Sequence, residues 1–202
     1  RVRGRLVRAL EHQGLLPGTH PERRLVVIGD SAAAGHGLER AEQAYSHLVA
    51  AQLTARDGRA TSVINVAVDG ATIRDVLDHQ LGAVFDADVV VIGVGVNDAI
   101  RRRPPVRIHR EMQVLLRRVQ ARAAPSAQLL LLTAPDLSSA PGLPQQLRTA
   151  LGWLCRRTAR IQAQVATSFG WAVLPLPREV LPAEVFGDDG FHPGVEGHRR
   201  LA

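Results

Sequence analysis

Short apolar runs alternate with longer amphipathic stretches along this chain, and that alternation limits its architecture more than any other feature. Leu25–Ile28, Ser62–Val68, Val89–Val96, Leu129–Leu132 and Ala172–Leu176 are each four to eight residues long. They are β-branched or leucine-rich with little polar alternation, the pattern of strands buried on both faces. Between them, Glu42–Ala55, Ile73–Leu81, Pro105–Ala123 and Gln145–Ser168 read as helices. This predicts an α/β fold, with five parallel strands covered by helices on both faces. A chain of 202 residues buries a full core without disulfides or a structural metal. No repeat or low-complexity linker divides it, so residues 25–202 are expected to form one domain behind a basic arm, residues 1–24.

The Pro105–Ala123 stretch shows the helical pattern. Proline suits a first turn, where its missing N–H costs nothing. At about 100° per residue, Ile108, Met112, Leu115, Leu116, Val119 and Ala123 share one face. Arg103, Arg107, Arg110, Arg117, Arg118 and Arg122 gather opposite, and are expected to form a solvated face.

Composition removes several classes of function. All 25 basic residues are arginine, against 19 acids, for a net charge of +6. An arginine-only basic set reads as a compositional habit of the source, not as a nucleic-acid surface. Aromatic residues make up 3%, too few for the stacking platforms of single-strand binders. The longest apolar stretch, Val89–Val96, is far too short to span a membrane. A single cysteine, Cys155, forms no internal bridge, and no Cys/His spacing suggests a zinc site. In the arm, Val2, Leu6 and Leu10 recur at helical spacing among Arg1, Arg3, Arg5 and Arg8. That pattern suits a short packing helix, or peripheral contact with an anionic membrane. Nothing in these residues exports the chain, which favours a cytoplasmic placement, although a chain opening on Arg1 leaves an upstream leader or anchor open.

In an open parallel sheet the site lies beyond the carboxyl ends of the strands. Gly29-Asp30-Ser31 follows the first apolar run, Asp69-Gly70 the second and Gly95-Val96-Asn97-Asp98 the third, while Asp189-Gly190-Phe191-His192 stands near the end. Singly these are helix caps and turn residues. Together they supply an acyl-transfer site. Ser31 is the candidate nucleophile and His192 its general base. Asp189 is placed to orient the imidazole, with Asp188 a less well-spaced competitor. The backbone N–H groups of Ser31 and Gly70 and the Asn97 amide are the candidate oxyanion donors. Gly-x-Ser-x-Gly, a phosphate-binding Gly-Lys loop and a dinucleotide fingerprint are all absent.

These blocks resemble, in order and context, the SGNH (GDSL-type) hydrolases, serine esterases and lipases named for their Ser, Gly, Asn and His blocks. The resemblance implies a three-layer, flavodoxin-like α/β/α fold with strand order 2-1-3-4-5. It also implies catalysis by Ser31, His192 and Asp189, an oxyanion hole of Ser31, Gly70 and Asn97, and no metal or other cofactor. Ala67 departs from the family's second block, which often has glycine there. The run Gly29 to Gly37 is most similar to the thioesterase–lysophospholipase-like branch. The implied activity is hydrolysis of small-molecule carboxylic esters, thioesters and lysolipids included, through a seryl acyl-enzyme. O-acyl transfer or deacetylation on carbohydrate would use the same residues. A binding module that kept the scaffold and lost the chemistry fits less well with intact blocks. The loops 134–147 and 174–186 flank the expected site. Their Leu137, Leu143, Leu181, Val185 and Phe186 are candidates for contact with an acyl chain.

Overall fold

A computed structural model of the chain describes residues 22–176 and 182–202. The basic arm up to residue 21 and Leu181 lie outside the described residues. The elements run β1 (Arg23–Gly29), α1 (Ser31–Ala34), α2 (Tyr45–Asp57), β2 (Thr61–Asn65), α3 (Ile73–His79), β3 (Val89–Gly93), α4 (Val96–Ile100), α5 (Pro105–Gln120), β4 (Gln128–Leu132), α6 (Gln145–Ser168), β5 (Ala172–Leu174) and α7 (Val195–Leu201). The sheet order is β2-β1-β3-β4-β5 and every pairing is parallel. The expected fold is therefore the observed one.

Alternation along the strands sorts the core into two layers, because successive side chains leave opposite faces. Val26, Ile28, Val90, Ile92 and Leu131 pack on one side with Ile73, Val76 and Leu77 of α3 and with Ile108, Met112, Leu115 and Val119 of α5. Leu25, Val27, Val89, Val91 and Leu132 face the other way, against Tyr45, Val49 and Leu53 of α2 and the end of α7. Five of the six residues predicted to share a face, Ile108, Met112, Leu115, Leu116 and Val119, thus appear in this one buried layer, with Ala123, just past the end of α5, packed against its edge. Among the described residues, no helix is long and apolar enough to cross a membrane.

Three differences from the sequence reading bear on function. The second and third apolar runs leave the sheet early, at Asn65 and Gly93. Gly95, at φ +122°, turns the chain out of β3 and starts α4, which carries Asn97 and Asp98. A side chain at position 95 would also meet Gln162 Nε2 at 2.6 Å, so glycine is required there twice over. Lastly, Arg103 does not join the solvated face. It is mostly buried and lies 3.5 Å from both Asp98 and Glu111.

Sheet order fixes where the site can form. Connections leave β1 toward β2 on one side and reach β3 on the other, so a crevice opens beyond the ends of β1 and β3. Ser31 follows the first of these strands and Asn97 the second.

Candidate active site

Gly29 ends β1 at φ +152°, and a Cβ there would lie 2.0 Å from the Gly93 carbonyl oxygen. The close approach lets the Asp30 N–H donate to that carbonyl at 2.9 Å. Asp30 then caps α1, its Oδ1 accepting from the Ala32 N–H at 3.3 Å. Ser31 is the first helical residue, held at the crevice by a strand behind it and a helix ahead.

His192 arrives from the far end of the chain. Its Nε2 lies 2.9 Å from Ser31 Oγ and its Nδ1 2.5 Å from Asp189 Oδ2. The other oxygen of Asp189 accepts from the N–H groups of Phe191 and His192, at 2.8 and 2.9 Å. Desolvation pushes this carboxyl up, but the bonds from His192 and the two N–H groups outweigh it and hold Asp189 down at about 2. Asp189, and not Asp188, therefore takes the place beside the imidazole. Phe191 stands edge-on to the His192 ring, centroids 4.9 Å apart.

Gly70 has φ +75° with open space where a Cβ would stand, so its backbone turn, not a close contact, calls for glycine. Asn97 Nδ2 donates to the Ala71 carbonyl at 3.1 Å and carries a second hydrogen. Asp98 is fully buried and accepts from the Ile73 N–H at 3.0 Å. Burial raises its carboxyl to about 6, against the pull of the Ile73 N–H and Arg103. The loop carrying Gly70 and the helix carrying Asn97 are thereby fastened together beside Ser31.

Several supporting residues were not singled out from the sequence. Gln162 bridges the ends of β3 and β4, donating to the Val94 carbonyl at 2.6 Å and accepting from the Ala134 N–H at 2.8 Å. A glutamine on the buried stripe of α6, beside Thr158 and Val165, was the available signal. Asn65 donates to the Ala33 carbonyl at 2.8 Å. His36, held through Nδ1 by Asp69 at 2.5 Å, lies against His192 with ring centroids 4.3 Å apart. His36 and Asp69 are 33 residues apart in the chain, a separation that gives no local pattern to read.

An apolar cavity of about 330 Å³ is lined by Ala32, Phe191 and Pro193, the chain neighbours of Ser31 and His192. Leu137, Val185 and Phe186 line it too, as the sequence suggested. Leu143 does not; it packs with the buried cluster around Ala99 and Cys155. Asp30 and Tyr45 are among the polar groups that line it. Burial, with Asp98 and Asp69 nearby, brings Asp30 up to about 7 despite the Ala32 N–H.

A parallel α/β/α sandwich with a hydrogen-bonded Ser–His–Asp chain at its topological switch point defines a protein of the flavodoxin-like α/β class. Residues 27–200 match the GDSL-like Lipase/Acylhydrolase family, and the chain belongs to it. A GDSL-like esterase of Mycobacterium tuberculosis is 28% identical over 188 residues, covering 88% of this chain. The chain spans 59% of that relative's length. The crystal structure of TesA is 25% identical, with a TM-score of 0.70 over 89% of this chain and 93% of its own. The esterase EstA from Pseudoalteromonas shares the fold at 17% identity, with a TM-score of 0.66 over 89% of this chain and 92% of its own.

Proposed function

We propose that this protein is a serine hydrolase of carboxylic esters, its chemistry borne by residues 25–202. The observation that carries the reading is the unbroken chain Ser31 Oγ, His192 Nε2, His192 Nδ1, Asp189 Oδ2, with links of 2.9 and 2.5 Å. Membership of the family and the esterase name of the mycobacterial relative support it.

In this mechanism His192 accepts the Ser31 proton as Oγ attacks the ester carbonyl. Asp189, ionised at neutral pH, keeps Nδ1 protonated and stabilises the imidazolium that forms. The N–H groups of Ser31 and Gly70 and the second hydrogen of Asn97 Nδ2 face the developing oxyanion, each such donor being worth about 3 kcal/mol of barrier. His192 returns its proton to the leaving oxygen or sulfur, leaving a seryl ester. Water, activated by the same imidazole, then releases the acid.

The apolar cavity favours esters with an extended apolar acyl group, acyl thioesters and lysolipids included. Hydrolysis of p-nitrophenyl esters from acetate to laurate, by this protein and by Ser31→Ala, tests the reading. Activity that disappears in the variant is expected. Equal inactivity of both proteins across the series would overturn it.

A further inference from the structure

His36 is not needed for the proposed reaction, yet it is built into the site with care. Asp69 fixes its ring through Nδ1, leaving Nε2 as the remaining lone-pair position. The ring lies tilted by 43° against His192, whose own Nδ1 is fixed by Asp189. Two imidazoles, each oriented by a carboxylate, thus stand side by side at the mouth of the crevice. For His36 this is how metal-binding histidines are commonly prepared, since Asp69 on Nδ1 sets the ring and raises the basicity of Nε2.

One ligand atom from each of His36, Asp189 and His192 lies within 4.8 Å of the others. Tetrahedral zinc bound to nitrogen and oxygen asks for ligands about 3.3 Å apart, so His36 has a short distance to close and the His192 Nδ1–Asp189 Oδ2 pair, at 2.5 Å, a short distance to open. His36 and Asp189 are exposed enough to move by side-chain rotation. Two nitrogens and one carboxylate oxygen select a borderline transition metal such as Zn²⁺ over Ca²⁺ or Mg²⁺, which want oxygen.

We propose that His36, Asp189 and His192 form an inhibitory site for a Zn²⁺-class divalent ion, with Asp69 orienting His36. The ion is a regulator, not a cofactor. Bound through His192 Nδ1, on the side that faces Asp189, it breaks the orienting bond and moves the ring proton to Nε2. Nε2 then has no lone pair to accept the Ser31 proton, and the imidazole stops acting as a base. The inhibition rests on the triad proposed above; the binding does not.

The test has two readouts. Hydrolysis of p-nitrophenyl butyrate is followed against buffered free Zn²⁺, each protein being scaled to its own metal-free rate. Visible absorption of added Co²⁺ is recorded on the Ser31→Ala protein, so that binding is seen whether or not any ester is turned over. Wild type is expected to lose activity, and to regain it with chelator. Asp69→Asn should raise the midpoint roughly tenfold, as loss of an outer-shell carboxylate does. His36→Phe, which keeps a ring against His192 but offers no ligand, should raise it further and abolish the Co²⁺ spectrum. A wild-type rate indifferent to Zn²⁺ would overturn the inhibition, and so would midpoints shared by all three proteins. A Co²⁺ spectrum that survives in His36→Phe would overturn the site itself.

Discussion

Gln80 holds both polar groups of Gly29: its Oε1 accepts from the Gly29 N–H at 2.7 Å, and its Nε2 donates to the Gly29 carbonyl at 2.9 Å. Gln80 sits at the end of α3 and is buried, so one side chain from the helical layer fixes the peptide from which the chain turns toward Ser31. The Gly29 carbonyl also receives the Val68 N–H at 3.1 Å. Gln80→Leu therefore strands chiefly the Gly29 N–H. An unsatisfied buried donor costs about 1–3 kcal/mol, and urea unfolding should show a loss of that size at unchanged slope.

Asp189→Asn keeps the shape of the orienting residue and removes its charge. The neutral amide favours the wrong imidazole tautomer and leaves the imidazolium uncompensated. Steady-state kinetics on a p-nitrophenyl ester should show kcat falling by roughly 10³–10⁴-fold, with KM little moved. A KM effect with kcat intact would place Asp189 outside the chemistry.

Leu176 lines the apolar cavity at a half-buried position, its N–H bound to Thr133 Oγ1 at 3.1 Å. Leu176→Trp should fill part of the cavity while leaving that backbone bond in place. Each methylene of acyl chain kept from burial costs about 0.8 kcal/mol, so excluding two should lower kcat/KM for laurate about tenfold relative to butyrate. A uniform loss across the series would mean that the acyl chain lies elsewhere.

His198 is fully buried, its ring stacked on Tyr45 and its Nδ1 accepting the Tyr45 N–H at 3.2 Å. Burial lowers its pKa from 6.5 to about 4. The unfolded chain takes up this proton below pH 6.5 and the folded one resists until about 4. Its contribution to stability is therefore full above pH 6.5 and lost as pH falls toward 4, a swing of about 3 kcal/mol. Asp30 and Asp98 oppose it, because burial makes the folded state keep protons that the unfolded chain releases from about pH 4 upward. The effect is thus read as the difference between wild type and His198→Gln, from denaturant unfolding at pH 4.5 and 7.5. That difference should shrink at the lower pH, and a constant gap would refute the assignment.

Much of the fold could be read from the chain because buried parallel strands and amphipathic helices write their periods directly. Val89–Gly93 and Pro105–Gln120 announce themselves by pattern alone. Ser31, Asn97 and His192 were legible for another reason, since each sits in a short block beside a strand end or turn whose spacing reflects local geometry. What escaped were contacts made across the fold between single polar residues. Gln80 with Gly29, Gln162 with Val94 and His36 with Asp69 have no period and no fixed spacing. Strand ends were missed where glycine overrode propensity, as at Gly95, where apolar side chains continue past the last paired residue.

The crevice is tied together by neutral amides. Gln80 secures the end of β1, Gln162 the ends of β3 and β4, Asn65 the turn after Ser31, and Asn97 the adjoining loop. Carboxamides neither titrate in the ordinary range nor feel the screening that weakens ion pairs. These amide ties are accordingly insulated from ionic strength, whereas the exposed Arg199, Arg200 and Glu196 pairs on α7 are open to it. A cell whose salt content swings widely would loosen the molecule's periphery first and leave the amide ties of the crevice untouched.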